Sequence, residues 1–251
     1  MFNAVILAGS SAKGDLEKQE QVENKAFIYV NSLTMIETIL VTLEKVEHID
    51  NIAVVGPPDD LNEIKNKGYI FEIVEQQESY LENIVAGLEK LDLDKPCIVV
   101  SADIPLITQE SVEDFLARCA PYDQDFYYPI ISKEDCEKKF PEVKRTYVRL
   151  KEGTFTGGNI MMIKPSWILN KIEDIQMYLS YRKRPWKIIR TLPYLLIVKF
   201  LIRRLTIEDL ERYVSQLMNM NARAIASSYV EIAVDVDKIE DLALVKKYFK
   251  I

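Results

Sequence analysis

Histidine occurs once in these 251 residues, at His48, and cysteine three times, at Cys97, Cys119 and Cys136. A single histidine leaves no His-based zinc site and no Ser-His-Asp triad unless His48 itself serves. It falls late in a helical pattern, before Ile49-Asp50-Asn51, where a plain surface role is expected. The cysteines are odd in number and lack metal-ligand spacing, which argues against a disulfide framework and fits reduced thiols in a cytoplasmic protein. Glycine (8) and proline (10) are scarce, and no repeat or long polar tract is found, so neither a disordered chain nor a solenoid is indicated. The opening segment Met1 to Gly9 has no basic region and an apolar run too short for an export signal; it reads as a first strand. The chemistry must therefore rest on carboxylates, lysines and backbone amides.

With 48% hydrophobic residues the chain can bury one substantial core. Short, continuously apolar runs at Ala4–Leu7, Ile52–Val55, Ile70–Val74 and Cys97–Val100 alternate with amphipathic stretches at Met35–Val46, Leu61–Lys67, Leu81–Leu91 and Ser111–Ala117. Strands apolar on both faces and separated by helices predict a Rossmann-like, three-layer α/β/α fold with a mostly parallel sheet. Ligands of such sheets bind beyond the carboxyl ends of the strands. Further on, Phe126–Ile131 and Asn159–Ile163 read as strands, with a charged connection at Lys133–Lys144 between them. Helices are expected from Pro165 to about Tyr178, Pro185 to about Arg204 and Thr206 to about Met220. A last strand is expected at Val230–Val234, before a helix from Ile239 to Tyr248. Residues 1–251 are thus expected to form one domain, with 165–228 a helical insertion on the acceptor side.

Three constellations follow strands. After Val5-Ile6-Leu7 comes Ala8-Gly9-Ser10-Ser11-Ala12-Lys13-Gly14, a loop of small residues whose N–H groups suit phosphates without forming a Walker loop, and then Asn24-Lys25-Ala26, which places a cation nearby. After Ile98-Val99-Val100 comes Asp103, an acid at a strand end that suits a hard cation such as Mg²⁺. Thr108 is the better N-cap for the helix beyond it. After Val230–Val234 come Asp235 and Asp237; Asp237, with Glu240 three residues on, reads as a cap for the last helix, which leaves Asp235 free.

Leu7-Ala8-Gly9, Asn24-Lys25-Ala26, Ala102-Asp103-Ile104-Pro105-Leu106-Ile107 and Asp235-Val236-Asp237-Lys238-Ile239-Glu240-Asp241-Leu242, in that order, resemble the NTP transferases typified by the molybdenum-cofactor guanylyltransferases. The resemblance implies an Mg²⁺-dependent nucleotidyltransferase that moves an NMP unit from a nucleoside triphosphate to a phosphorylated small molecule, releasing pyrophosphate. It assigns Lys25, Asp103 and Asp235 to catalysis, and Asp103 and Asp235 to Mg²⁺. Leu7, Ala8, Gly9, Ser10, Lys13, Lys25, Ser79 and Asn83 are assigned to the nucleotide, and Gly157, Gly158 and Asn159 to the acceptor. Ser79 and Asn83 equally suit a capped helix start, and the two glycines a tight turn. The sequence departs from the family's loop L-A-G-G-x-G-x-R, with Ser10 and Ala12 at the second and third glycines and no arginine following.

Two other readings are compatible with the sequence. A glycosyltransferase of related fold is disfavoured by Ser101-Ala102-Asp103 where such enzymes carry D-x-D; a non-catalytic nucleotide-binding protein is the second. The net charge is −7, yet Ile175 to Ile207 holds no acid and eight basic residues, from Arg182 to Arg204. Such a segment suits an interfacial helix, an anionic partner, or a helix whose basic ends meet the acidic body. A nucleic-acid partner is not expected, because the chain is acidic and has no recognised binding motif.

Overall fold

Residues 2–7 are buried without exception, and the structural reason is that they form a central strand covered on both sides. The computed structural model describes residues 1–169, 171–172, 175 and 193–249. Strand β1 (Phe2–Leu7) lies between β2 (Ile49–Gly56) and β4 (Cys97–Ser101), with β3 (Glu72–Glu75) outside β2, and all four run parallel. Alternate side chains enter two cores. Ala4, Ile6, Val54, Ile98 and Val100 pack on one face with helices Met35–Leu43 and Gln109–Cys119. Val5, Leu7, Ala53, Val55 and Val99 pack on the other with helix Tyr80–Leu88. That second helix sits so close that a Cβ on Gly87 would lie 2.6 Å from Val5.

Helix starts are set locally. Thr34, Ser79 and Thr108 each accept from the N–H three residues on, and Glu37, Glu82 and Ser111 reach back to complete the box. Thr108 therefore caps the helix after Asp103, as expected, and Asp103 is left for other work. His48 is exposed at φ +78°, and its carbonyl accepts from the Phe2 N–H at 2.7 Å, so it terminates a helix-to-strand turn.

Beyond β4 the sheet turns antiparallel. Strand β5 (Phe126–Ser132) is followed by β6 (Val148–Arg149), β7 (Thr154–Gly157) and β8 (Ile160–Ile163). The last two are halves of one bent strand: β8 pairs with both β4 and β5, and β7 with β5 and β6. The charged connection contains a helix, Lys133–Lys139, begun by Ser132.

The expected last strand is a correction. Val230–Ala233 is a single 3₁₀ turn, and the strand that completes the sheet is β9 (Ala222–Ser227), parallel to β5. Val230, Ile232, Ala233 and Val234 are buried on all sides, so their apolar run carries no period that separates strand from turn. Ala222-Arg223-Ala224 has little strand propensity of its own and is recruited by the open edge of β5.

Within 165–228 the structure has helices Pro165–Leu169, Tyr194–Leu201 and Ile207–Met218 as well as β9. Most of the remaining expected helix from Pro165 to Tyr178, the start of the one from Pro185, and the basic residues Arg182, Lys183, Arg184, Lys187 and Arg190 lie outside the described residues. Among the described residues no helix is long and apolar enough to cross a membrane.

Candidate active site

The loop after β1 is tied to the segment that carries Lys25. Ser11 and Asn24 form an antiparallel bridge, the Ala12 N–H donates to Glu23 at 2.7 Å, and the Lys25 N–H donates to the Ser10 carbonyl at 3.0 Å. Asn24 is the fastener: its amide donates to the Ala8 carbonyl, and its side-chain oxygen caps the 3₁₀ turn Lys25–Phe27 through the Ala26 N–H. The polar stretch from Asp15 to Glu23 is accommodated as a short excursion containing helix Asp15–Glu20, so it does not separate the loop from Lys25 in space.

Lys25 is buried, and its ammonium donates to Asp103 and to Asp237, each at 2.7 Å. Ser101 Oγ donates to the other Asp103 oxygen at 2.6 Å, while the Asp103 carbonyl accepts from the Val236 N–H at 2.9 Å and so stitches the C-terminal acids to the end of β4. Burial pulls the Lys25 pKa down, but the facing charges of Asp103 and Asp237 outweigh it and hold the group above its ordinary value. Lys25 is therefore a permanent cation at neutral pH. An ammonium has three donors, and two are spent here.

Asp235 pairs with Arg145, whose second terminal nitrogen donates to the Gly157 carbonyl at 2.9 Å. Burial raises the Asp235 pKa; Arg145 opposes this, and the neighbouring charges of Asp103 and Asp237 add to it. Asp237 is held below its ordinary value chiefly by the hydrogen bond from Lys25. Three carboxylates against two cations leave an excess of negative charge beside a polar cleft of about 550 Å³, lined by Arg145, Thr146, Thr156, Asp235, Asp237 and Lys238 among others. Among the described residues no three His, Cys, Asp or Glu side chains gather at metal-ligand spacing. Mg²⁺ ordinarily takes one or two carboxylates and completes its shell with water and phosphate oxygens, so hard oxygen donors from Asp103 and Asp235, in a field with unbalanced negative charge, fit that ion.

Two sequence expectations are corrected. Asp237 does not cap the last helix, because Asp241 accepts from the Asp237 and Lys238 N–H groups at 3.2 and 2.9 Å, and Asp237 is free to meet Lys25. Asp235 does not follow a sheet strand; it follows the 3₁₀ turn and reaches the site through the Val236–Asp103 hydrogen bond.

Of the remaining expected residues, Leu7 is buried at the end of β1, the Ala8 N–H continues the pairing to Val55, Gly9 lies under Gln76, and Ser10 and Lys13 are exposed on the loop. Ser79 and Asn83 are engaged within their own turn: Ser79 caps the helix, and Asn83 bonds the backbone of Gln77 and Ser79. The room above Gly157 is filled by the Tyr128 hydroxyl, and a Cβ on Gly158 would meet Pro129 at 2.9 Å, so these glycines answer to protein packing. Asn159 links the end of β4 to the 3₁₀ turn through its backbone, donating to Ile232 at 2.8 Å and accepting from Ser101 at 3.1 Å. Sequence reasoning missed Arg145 and Ser101. Arg145 ends a charged stretch in which no local signal sets it apart; Ser101, two residues before Asp103 at the strand end, carried a detectable one.

The profile of the MobA-like NTP transferase domain matches residues 4–226. A hypothetical transferase from Thermus thermophilus is 30% identical, covers 96% of this chain and 100% of its own, and superimposes with a TM-score of 0.83. A CMP:2-keto-3-deoxy-manno-octonic acid synthetase complexed with CTP has 14% identity, coverage of 99% and 98%, and a TM-score of 0.64. A 4-diphosphocytidyl-2C-methyl-D-erythritol synthase from Anaerococcus prevotii has 14% identity, coverage of 100% and 96%, and a TM-score of 0.61. These last two share the fold. Among curated proteins none matches the chain. Asp235 and Asp237 fall beyond the matched profile, so their place in the site comes from tertiary contacts.

Proposed function

We propose that this chain, which belongs to the family of MobA-like NTP transferase domains, transfers a nucleoside monophosphate unit from a nucleoside triphosphate to a phosphorylated small molecule. The observation that carries the proposal is Lys25, buried and clamped between Asp103 and Asp237 at the carboxyl end of the parallel strands. A phosphate oxygen of the acceptor attacks the α-phosphorus in line. A new P–O bond forms as the bond from the α-phosphorus to the bridging oxygen breaks, and pyrophosphate leaves with the electron pair. The nucleophile is already ionised at neutral pH, so no histidine base is required.

Positioning and charge stabilisation are what remain for the protein. The third N–H of Lys25 is directed at phosphate oxygens, and its two carboxylate partners hold the ammonium in one place. The backbone N–H groups of Gly9 to Ser11 receive the triphosphate, while the Ala8 N–H is held by the Val55 carbonyl. Arg145, already anchored on Asp235 and the Gly157 carbonyl, keeps further N–H donors for the acceptor's phosphate. Asp103 and Asp235 would hold Mg²⁺, which when bound supplies charge neutralisation on the reacting phosphates. The test is pyrophosphate release across a panel of nucleoside triphosphates and phosphorylated acceptors, with and without a chelator. Activity in the native protein that is lost in both Asp103→Ala and Asp235→Ala supports the assignment; full activity in both variants sinks it.

A further inference from the structure

Strand β5 reads Phe-Tyr-Tyr-Pro-Ile-Ile-Ser and is apolar on both faces, yet only Tyr127, Pro129 and Ile131 are buried. Phe126, Tyr128 and Ile130 point the other way, toward helix Ile207–Met218. There the neighbouring strand is pared down: on β9, Ala222 stands opposite Phe126 and Ala224 opposite Tyr128. Small residues flanking large ones leave an apolar pocket of about 290 Å³ between sheet and helix, closed by Leu150, Phe155, Leu210 and Val214. Glu211, at its rim, is engaged by the Ala224 N–H at 2.6 Å. A pocket walled by half-buried aromatic and aliphatic side chains leaves apolar surface that a ligand can cover.

The position of this pocket matters as much as its lining. Thr146 and Thr156 line both it and the polar cleft that holds Arg145 and Asp235. One molecule with an anionic end in the cleft and an apolar end in the pocket would span the two. We infer that the acceptor is amphipathic: a phosphate monoester whose polar end meets Arg145 and whose hydrocarbon part lies between β5 and helix Ile207–Met218. This rests on the proposed function for its chemistry, while the pocket is an observation independent of it. The apolar surface also continues outward. Leu150, Phe155, Ile207 and Leu210 belong to the cluster that buries Leu196 of helix Tyr194–Leu201, whose Tyr194, Leu195, Phe200 and Leu201 are exposed. An amphiphile can therefore be drawn from free solution or from a bilayer.

The experiment measures binding of methyl, butyl and octyl phosphate to the full chain by calorimetry, without nucleotide. Affinity is expected to rise about three- to fourfold per methylene added until the pocket is filled. Ala224→Phe, and Val214→Phe from the helix side, should each fill the pocket and remove that rise while leaving methyl phosphate binding unchanged. Co-sedimentation with phosphatidylcholine vesicles carrying hexadecyl phosphate, compared with Leu195→Glu, separates the two sources. Binding to free octyl phosphate, or binding in vesicles that Leu195→Glu abolishes, each supports the inference. Equal affinity for methyl and octyl phosphate together with no retention on the vesicles, or a chain-length preference that survives both pocket-filling variants, overturns it. Chain-length-dependent binding with no pyrophosphate release from any nucleotide would retire the transfer reaction and leave the pocket's assignment standing. Pyrophosphate release with a wholly polar acceptor and no chain-length dependence would do the reverse.

Discussion

Replacing Lys25 by Met keeps the length of the side chain and removes its charge, which leaves Asp103 as a buried carboxylate facing no ammonium. The two partners of Lys25 are unequal. Asp237 has 62% of its side chain exposed, so its ion pair is worth at most about 1 kcal/mol. The Lys25 and Asp103 side chains are only 9% and 12% exposed, and removing one member of a buried pair costs about 3–5 kcal/mol. Asp103 keeps its hydrogen bond from Ser101, which favours the lower end. A loss of about 3 kcal/mol is expected in urea unfolding, and at about 2–4 °C per kcal/mol for a chain of this size the melting temperature should fall by roughly 6–12 °C. Pyrophosphate release should fall by about 10²–10³-fold, the cost of a fixed cation on developing charge. The decisive comparison is Lys25→Met with Asp103→Asn. Neutralising the stranded carboxylate should restore most of the lost stability and none of the activity. A single variant within about 0.5 kcal/mol of the native protein, or a double variant no more stable than the single, would refute the reasoning.

Arg145→Ala should lower kcat/KM for pyrophosphate release at least about tenfold, mainly through a higher acceptor KM, and Arg145→Lys should not restore it, because a point charge cannot reach Asp235 and the Gly157 carbonyl together. Gly157→Ala should cost about 1–3 kcal/mol in thermal unfolding by driving a Cβ into Tyr128, and the cost should shrink in a Tyr128→Leu background. The Asp209 carboxyl is pulled down to about 2 by the Lys199 ammonium at 2.6 Å, with the Thr206 N–H and hydroxyl helping. A depressed folded pKa stabilises above the unfolded value of 3.8 and is lost as pH falls through 2, so the stability gap between the native protein and Asp209→Asn should be full at pH 6 and close between about pH 4 and 2. A gap in urea midpoint that does not narrow over that window would contradict the assignment.

The parallel half of the sheet was legible because each local signal agreed with its neighbour: apolar strands of four to eight residues, Thr34, Ser79 and Thr108 at the starts of three of its helices, and loops at the strand ends, where ligands of such sheets bind. Asp103 and Lys25 were legible for the same reason, since each sits in the connection that follows a strand of that half. The C-terminal part was not. Asp237 looked like a cap because a cap is a local arrangement, and nothing local reveals that Asp241 has taken over the task. Arg145 belongs to a charged segment whose members look alike until the chain folds and one of them reaches Asp235. Sequence by itself determined the fold class, the family and the two groups whose partners are announced by strand-and-turn chemistry. Only the tertiary structure decided that Lys25 is shared between Asp103 and Asp237, that Arg145 holds Asp235, and that an apolar pocket opens beside them. Those contacts join residues 78, 212 and 90 positions apart, and over such separations packing selects partners that no local pattern encodes.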